Sequence, residues 1–291
     1  MINRLTIIGV GLIGGSLARA LRQAGYCHEI VGSGPRQASL RRAVELGVIT
    51  RYHADAGRAV EGADMIVLAV PLGAMEDVLR RIAPKLGPQA VVTDVGSAKG
   101  SVVMAAHAAF GQVPARFVPG HPIAGTEKSG VEASVPDLFK GRQVILTPLP
   151  ETKIDAVTAV REMWCQAGAQ VTEMSVEHHD EVLAATSHLP HMLAFALVDT
   201  LARMQEQAEI FRYAAGGFRD FTRIASSNPA MWRDICLANR EAIVSMIDRF
   251  QGDLALLRDA IQTTDGSRIE ATFARAKAAR DRYSIEAEHG E

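Results

Sequence analysis

The sequence predicts an α/β fold: a doubly wound parallel sheet over residues 1–173, then an all-helical half over residues 174–291. Three observations carry this. Short apolar runs rich in β-branched residues alternate with helix-periodic stretches up to about residue 173, the pattern of a parallel sheet covered by helices on both faces. A glycine-rich turn, Gly9-Val10-Gly11-Leu12-Ile13-Gly14-Gly15, directly follows the first such run. From Ser175 onward strand-like runs vanish and helix formers dominate. A chain of 291 residues is long enough for two such domains.

The first run, Leu5-Thr6-Ile7-Ile8, reads as a strand buried on both faces, and residues 16–24, stopped by Gly25, as the helix after it. Between them the glycines spell GxGxxG. Gly9 makes the turn, Gly11 lets backbone approach a pyrophosphate, and Gly14 lets helix lie on strand. The helix N-terminus, opened by Leu12 and Ile13, offers free N–H groups and partial positive charge to phosphates. A dinucleotide is expected on these five residues. The next strand, residues 29–32, is followed by Ser33-Gly34-Pro35-Arg36. NAD-preferring sheets place an acid there to grip the ribose 2′-OH. None is present, and Ser33 and Arg36 suit a 2′-phosphate, with Arg41 and Arg42 one helix turn on. NADP is therefore expected over NAD, the alternative being a solvated Arg36 and a pocket that takes either cofactor.

A helix over 37–46 ends at Gly47. Residues 64–70 form the next buried strand, ended by Pro71, and Val70 and Pro71 should line the cofactor cleft. A helix over 73–82 and a strand over 90–93 follow, running into Asp94-Val95-Gly96-Ser97-Ala98-Lys99. Ser97 suits a helix N-cap and equally a hydrogen bond to substrate or nicotinamide. After the short strand Phe117-Val118 comes Gly120-His121-Pro122-Ile123-Ala124-Gly125-Thr126-Glu127-Lys128-Ser129-Gly130. This puts His121 on the loop past a strand's carboxyl end, where open α/β sheets bind ligands. An imidazole held there can take a proton from an alcohol and return it each turnover. Residues 135–139 read as a short helix, 144–148 as a strand, 154–167 as an amphipathic helix and 169–173 as the last strand.

The second half opens with a helix from Val176 towards Met204, kinked or interrupted at Pro190. Ser187, His188 and His191 share one face of it by helical spacing. Residues 192–201 are apolar nearly all round, as in a core helix or a subunit interface. His178 and His179, beside Glu177, Asp180 and Glu181, read as a solvated helix start, and no HExxH, Cys/His set or Asp-rich loop argues for a metal. Residues 216–229 interrupt the helices. Within them Arg223 lies among Phe221, Ile224 and Ala225, and a partly buried guanidinium there calls for a substrate carboxylate or a structural pair with Asp220 or Glu127. A helix over 231–249 and two more, broken near 263–266, complete the chain, and the tail from Ser284 is polar.

Composition sets limits on partners. With 48% apolar and 22% charged residues and a net charge of −2, the chain has no basic patch, only four Tyr and two Trp, and no nucleic-acid signature. Three scattered cysteines, Cys27, Cys165 and Cys236, without a CxxC, read as reduced and mostly buried thiols of a cytoplasmic protein. The run of residues 192–198 is too short to span a bilayer.

Taken together, the glycine turn to Ser16, Asp94 to Lys99, the His121 stretch, Ser187-His188-Leu189-Pro190-His191 and Gly217-Phe218-Arg219-Asp220-Phe221-Thr222-Arg223-Ile224-Ala225 resemble, in that order and over nearly the whole chain, the prephenate/arogenate dehydrogenase family of tyrosine biosynthesis. The resemblance implies a Rossmann-type domain followed by a helical domain for substrate binding and dimerisation. It implies oxidative decarboxylation of prephenate or arogenate with hydride transfer to NAD(P)+. His121 would act as base with Ser97 assisting. Arg223 would hold a carboxylate, with Ser187, His188, His191 and the Thr126 backbone completing the pocket. Glu127, Asp220 and Trp232 would gate or brace the cleft across an intertwined homodimer. The alternatives are a β-hydroxy acid dehydrogenase, whose usual helical-half lysine is missing here except for Lys277, and a dinucleotide-sensing protein without chemistry.

Overall fold

Uninterrupted β-branched runs do form the predicted sheet. The computed structural model describes residues 1–126, 128–205 and 207–289, with side chains except at 207–208 and 283–289. Six strands lie side by side: β1 (Ile2–Ile8), β2 (Cys27–Ser33), β3 (Arg51–His53), β4 (Met65–Leu68), β5 (Val91–Asp94) and β6 (Phe117–Val118). Every pairing is parallel, in the order β3-β2-β1-β4-β5-β6, which reverses direction between β1 and β4 and opens a crevice at their carboxyl ends. The connections are α1 (Leu12–Gln23), α2 (Gln37–Glu45), α3 (Ala56–Val60), α4 (Met75–Ile82) and α5 (Lys99–Phe110). Alternate residues of β1 feed different cores: Ile7 packs with Leu17, Leu21 and Trp164, and Ile8 with Leu68, Leu79 and Phe117.

Past β6 the chain leaves this sheet. Pro119 separates β6 from β7 (Gly120–Pro122), and its carbonyl accepts the Thr147 N–H at 2.9 Å. β7 pairs antiparallel with β8 (Gln143–Leu146), which pairs parallel with β9 (Gln170–Glu173) across α6 (Ile154–Gln166). The strand–helix alternation read over 144–173 therefore builds a second, three-stranded sheet. The helix expected over 135–139 is not formed. A single 3-10 turn at Val131–Ala133 takes its place, and Phe139 anchors the loop by packing edge-on against the buried Trp164, ring centroids 5.1 Å apart.

Two compact units divide the chain, Met1–Ile243 and Val244–Glu291. In the first, α7 (Val176–Leu183), a π-helical turn at Ala184–His188 and α8 (Leu189–Ala202) run on continuously. Pro190 explains the wide turn: its ring lacks an N–H and crowds the carbonyl four residues back, so the helix loosens just before it. By length and composition this stretch could cross a bilayer, but α7 is bonded by side chains into the first sheet layer, as described below. Then come α9 (Gln207–Arg212), α10 (Gly216–Thr222), a 3-10 turn at Arg223–Ser226 and α11 (Pro229–Ala238). The expected interruption thus contains a helix of its own. The helix expected over 231–249 breaks at the buried Asn239, and α12 (Arg240–Gln262) and α13 (Gly266–His289) follow. The cysteines are free but not buried as expected: Cys165 is exposed and the other two are half-buried.

Candidate active site

The turn after β1 is built for a phosphate. Gly9 has φ +99°, and a Cβ there would lie 2.1 Å from the Ala69 carbonyl oxygen. A Cβ at Gly14 would lie 2.3 Å from the Gly9 carbonyl, whereas one at Gly11 would meet nothing within 4 Å. Two glycines are thus forced by close packing, and the third leaves the start of α1 open, so that Leu12 and Ile13 present a helix N-terminus to an anion. Val70 and Pro71 follow β4 on the same edge. Ser33, at the end of β2, is buried and its carbonyl accepts the Gly9 N–H at 2.8 Å. It braces the turn. Arg36 is exposed, immediately before α2. The cradle fits a dinucleotide pyrophosphate.

His121 lies on β7, one strand further than expected, opposite Ile145 of β8 and almost fully buried. Its Nδ1 is 2.9 Å from Nε2 of His179, whose Nδ1 is 2.8 Å from Oδ1 of Asp180. His179 is fully buried, so the solvated helix start expected at this position applies only to the exposed His178. Asp180 does more: its two oxygens accept the N–H groups of Lys99 and Gly100, each at 2.8 Å. These are orphan donors of the α5 N-terminus. The N-cap position itself is Ala98, so the cap considered for Ser97 is supplied by Asp180 from another helix. Lys99 turns inward, fully buried, with Nζ 2.5 Å from Asp94 Oδ2 and 2.7 Å from the Gly120 carbonyl. That ties the end of β5 to the residue preceding His121.

Burial disfavours a charged imidazole. It holds His121 well below the usual range, reinforced by His179, Lys99 and His188. Burial likewise lowers His179, against the pull of Asp180. It lowers His188 to about 4, with His179 and His191 adding to the effect and Asp180 and the Ser97 carbonyl opposing it. The result is a set of neutral imidazoles near pH 7, beside a carboxylate that stays ionised. Burial works to raise Asp180, but His179 and the two backbone N–H groups hold it below the ordinary range.

The helical wall is assembled around Trp232. Its ring stacks on His191, centroids 3.7 Å apart, and stands edge-on to His188 at 6.1 Å. His191 Nδ1 bonds the Ser187 carbonyl at 2.8 Å. Asn239 donates to the Asp180 carbonyl at 2.8 Å and approaches His188 Nδ1 at 3.1 Å. Trp232 Nε1 is buried without a hydrogen-bond partner among the described residues. The turn that carries Arg223 packs on α8, but Arg223, Phe221 and Asp220 are exposed in this chain, so the partly buried guanidinium expected at 223 is not seen. Thr126 is exposed, its Oγ1 accepting the Lys128 N–H at 3.2 Å. Glu127 lies outside the described residues. His121, His179, Asp180, His188, His191 and Trp232 thus form one connected group. His179 and Asp180 within it, and Lys99, Asp94 and Asn239 bonded around it, are site residues that the sequence does not single out.

Residues 17–173 match the family model of the prephenate dehydrogenase nucleotide-binding domain, and residues 175–275 that of its dimerization domain. The chain belongs to the prephenate dehydrogenase family. Among its relatives, the cyclohexadienyl dehydrogenase of Zymomonas mobilis is 38% identical over 96% of this chain and 95% of its own length. The crystal structure of prephenate dehydrogenase from Aquifex aeolicus, in complex with hydroxyphenyl propionate and NAD+, superposes with a TM-score of 0.90 at 38% identity, covering 97% of this chain and 99% of that one. Synechocystis arogenate dehydrogenase superposes with a TM-score of 0.82 at 27% identity over 96% of this chain and 99% of that one. The doubly wound sheet and the helical part are those of a dehydrogenase that uses a nicotinamide dinucleotide.

Proposed function

We propose that this chain catalyses the oxidative decarboxylation of prephenate, arogenate or both in tyrosine biosynthesis, as a cytoplasmic homodimer that uses NADP in preference to NAD. The observation that carries the reading is a buried His121, its charged form disfavoured by burial, held beside the carboxyl end of β5, whose Asp94 accepts the N–H of the preceding Gly120. In this reading residues 1–173 hold the cofactor and residues 174–291 the substrate and the dimer contact. The cofactor is held by Gly9, Gly11, Leu12, Ile13 and Gly14 and walled by Val70 and Pro71. Bound there, it supplies the hydride acceptor. A 2′-phosphate would rest on Arg36, with Ser33 bracing the turn beneath.

The chain's own residues then handle the proton and the carboxylates. His121 takes the proton of the C4 hydroxyl as the C4–H bond gives up its hydride. Loss of the ring carboxylate as CO2 sends its electron pair into the ring, which becomes aromatic, and the oxygen at C4 recovers the proton from His121. Ser97 orients the hydroxyl. Arg223 holds a carboxylate, with Ser187, His188, His191 and the Thr126 backbone around it, and Glu127, Asp220 and Trp232 brace the mouth of the cleft. The apolar exposed face of α8, including Leu197, suits the dimer contact.

Initial rates at 340 nm for prephenate and arogenate, each with NAD+ and NADP+, test the assignment. Reduction with neither substrate overturns it. With the better pair, His121→Asn should lower kcat by ~10²–10⁴ with a smaller change in KM.

A further inference from the structure

Hydrogen-bond directions along the His121–His179–Asp180 line are fixed by the acceptor at its end. An ionised carboxylate donates nothing, and Asp180 is already committed by the N–H groups of Lys99 and Gly100. His179 Nδ1, 2.8 Å from Asp180 Oδ1, must therefore carry a proton. A neutral imidazole carries one, so His179 Nε2 is a bare lone pair. The group 2.9 Å from it, His121 Nδ1, must then be the donor. That leaves the lone pair of His121 on Nε2, the nitrogen not engaged by His179.

We propose that His179 and Asp180 are positioning residues that lock His121 as its Nδ1–H tautomer and so keep Nε2 available as the proton acceptor. The proposal rests on His121 being the base and names what makes it one. His179 reaches His121 from α7, and α7 is held in place because Asp180 closes the α5 N-terminus. Asp180 thereby acts on the base without touching substrate. The other charged or titratable groups facing this pair are Lys99 and Asp94 from the α5 and β5 side, and His188 from the π-helical turn. None of them makes a hydrogen bond to either nitrogen of His121 among the described residues.

The test uses the whole enzyme labelled with 15N-histidine, whose long-range 1H–15N correlations distinguish Nδ1–H from Nε2–H imidazoles, together with kcat and KM as functions of pH. In the wild type, His121 and His179 should both read as Nδ1–H. His179→Ala removes the acceptor. The His121 signal should move to a mixture of tautomers, and kcat should fall on the order of 10²-fold or more with KM changed less than about threefold. His179→Gln can present its amide oxygen to His121 Nδ1. It should restore the Nδ1–H signature and most of kcat, and it stands in should the alanine variant not fold. An unchanged His121 spectrum and kcat within threefold of wild type in His179→Ala, or an Nε2–H signature in the wild type, overturns the positioning role. The base reading itself fails on a different result: His121→Asn retaining wild-type kcat.

Discussion

Replacing His188 with Gln isolates the acid sensitivity that buried imidazoles build into residues 1–243. His188 is 1% exposed, and burial together with His179 and His191 brings its pKa down from 6.5 to about 4. For a base with a depressed folded pKa, the unfolded chain binds more protons between the two values. The contribution to stability is therefore complete above the unfolded pKa and declines as pH falls through 6.5 towards 4, where the loss levels off. A gap of about 2.5 units at ~1.36 kcal/mol per unit makes that loss about 3 kcal/mol, roughly half of it gone near pH 5.5. Urea unfolding of both proteins, at one fixed protein concentration so that subunit association does not vary, gives the difference in stability at each pH. His121 and His179 are also depressed, mainly by their own burial, so most of their share cancels in that difference. The wild-type advantage should shrink by about 3 kcal/mol between neutral pH and about pH 4. A difference constant to within ~0.5 kcal/mol across that range would mean that His188 titrates as in the unfolded chain, and the argument from burial would be wrong.

Three other perturbations probe separate parts of the site. Lys99→Met leaves Asp94 buried with only the N–H groups of Gly96 at 2.7 Å and Gly120 at 3.1 Å. Unfolding should show a loss of ~3–5 kcal/mol, whereas a loss below ~1 would mean that the pair contributes no more than an apolar contact. Arg223→Ala should raise KM by about ten- to a hundredfold, in line with ~1.5–3 kcal/mol for a hydrogen bond to a charged group, with kcat nearly unchanged. A KM that stays put assigns Arg223 a structural role. Arg36→Ala should raise KM for NADP+ about tenfold or more and leave KM for NAD+ within about twofold, since only the former carries a ribose 2′-phosphate for this guanidinium to hold. Equal effects on both cofactors would remove Arg36 from the 2′-phosphate site.

The sheet was legible because its signals are local. Five of the six strands are short β-branched runs, and GxGxxG is a contiguous turn whose packing forces the glycines at 9 and 14. Missed elements failed for the same reason. β3 and α3 lie in residues 51–60, polar and short, where tertiary pairing with β2 rather than periodicity makes the strand. Among the site residues, His121 stood out through its loop composition. His179 and Asp180 did not, because their roles come from meeting His121 and Lys99 across 58 and 81 residues of chain. A His-His-Asp run at a helix start has the same local pattern whether it is solvated or buried. Arg223 shows the opposite failure: apolar neighbours in sequence suggested burial, yet the short α10 and the turn after it present that side to solvent.

Asp180 reaches His121 by two routes, and this settles how the sheet layer and the helical layer share control of one imidazole. The side-chain route runs through His179 and sets which nitrogen carries the proton. The backbone route runs from the carboxylate to the first N–H groups of α5, then along Lys99 to Asp94 and the Gly120 carbonyl, and sets where the strand bearing His121 lies. Both routes begin at one residue of α7. A shift of that helix by the length of a hydrogen bond would break both, displacing His121 and scrambling its tautomer together, while neither β1 nor the glycine turn need move. With His121 as the proposed base, a displacement of α7 should abolish proton transfer while cofactor binding survives. On the proposed mechanism, displacing α7 should therefore lower kcat more than it raises the Kd for the dinucleotide.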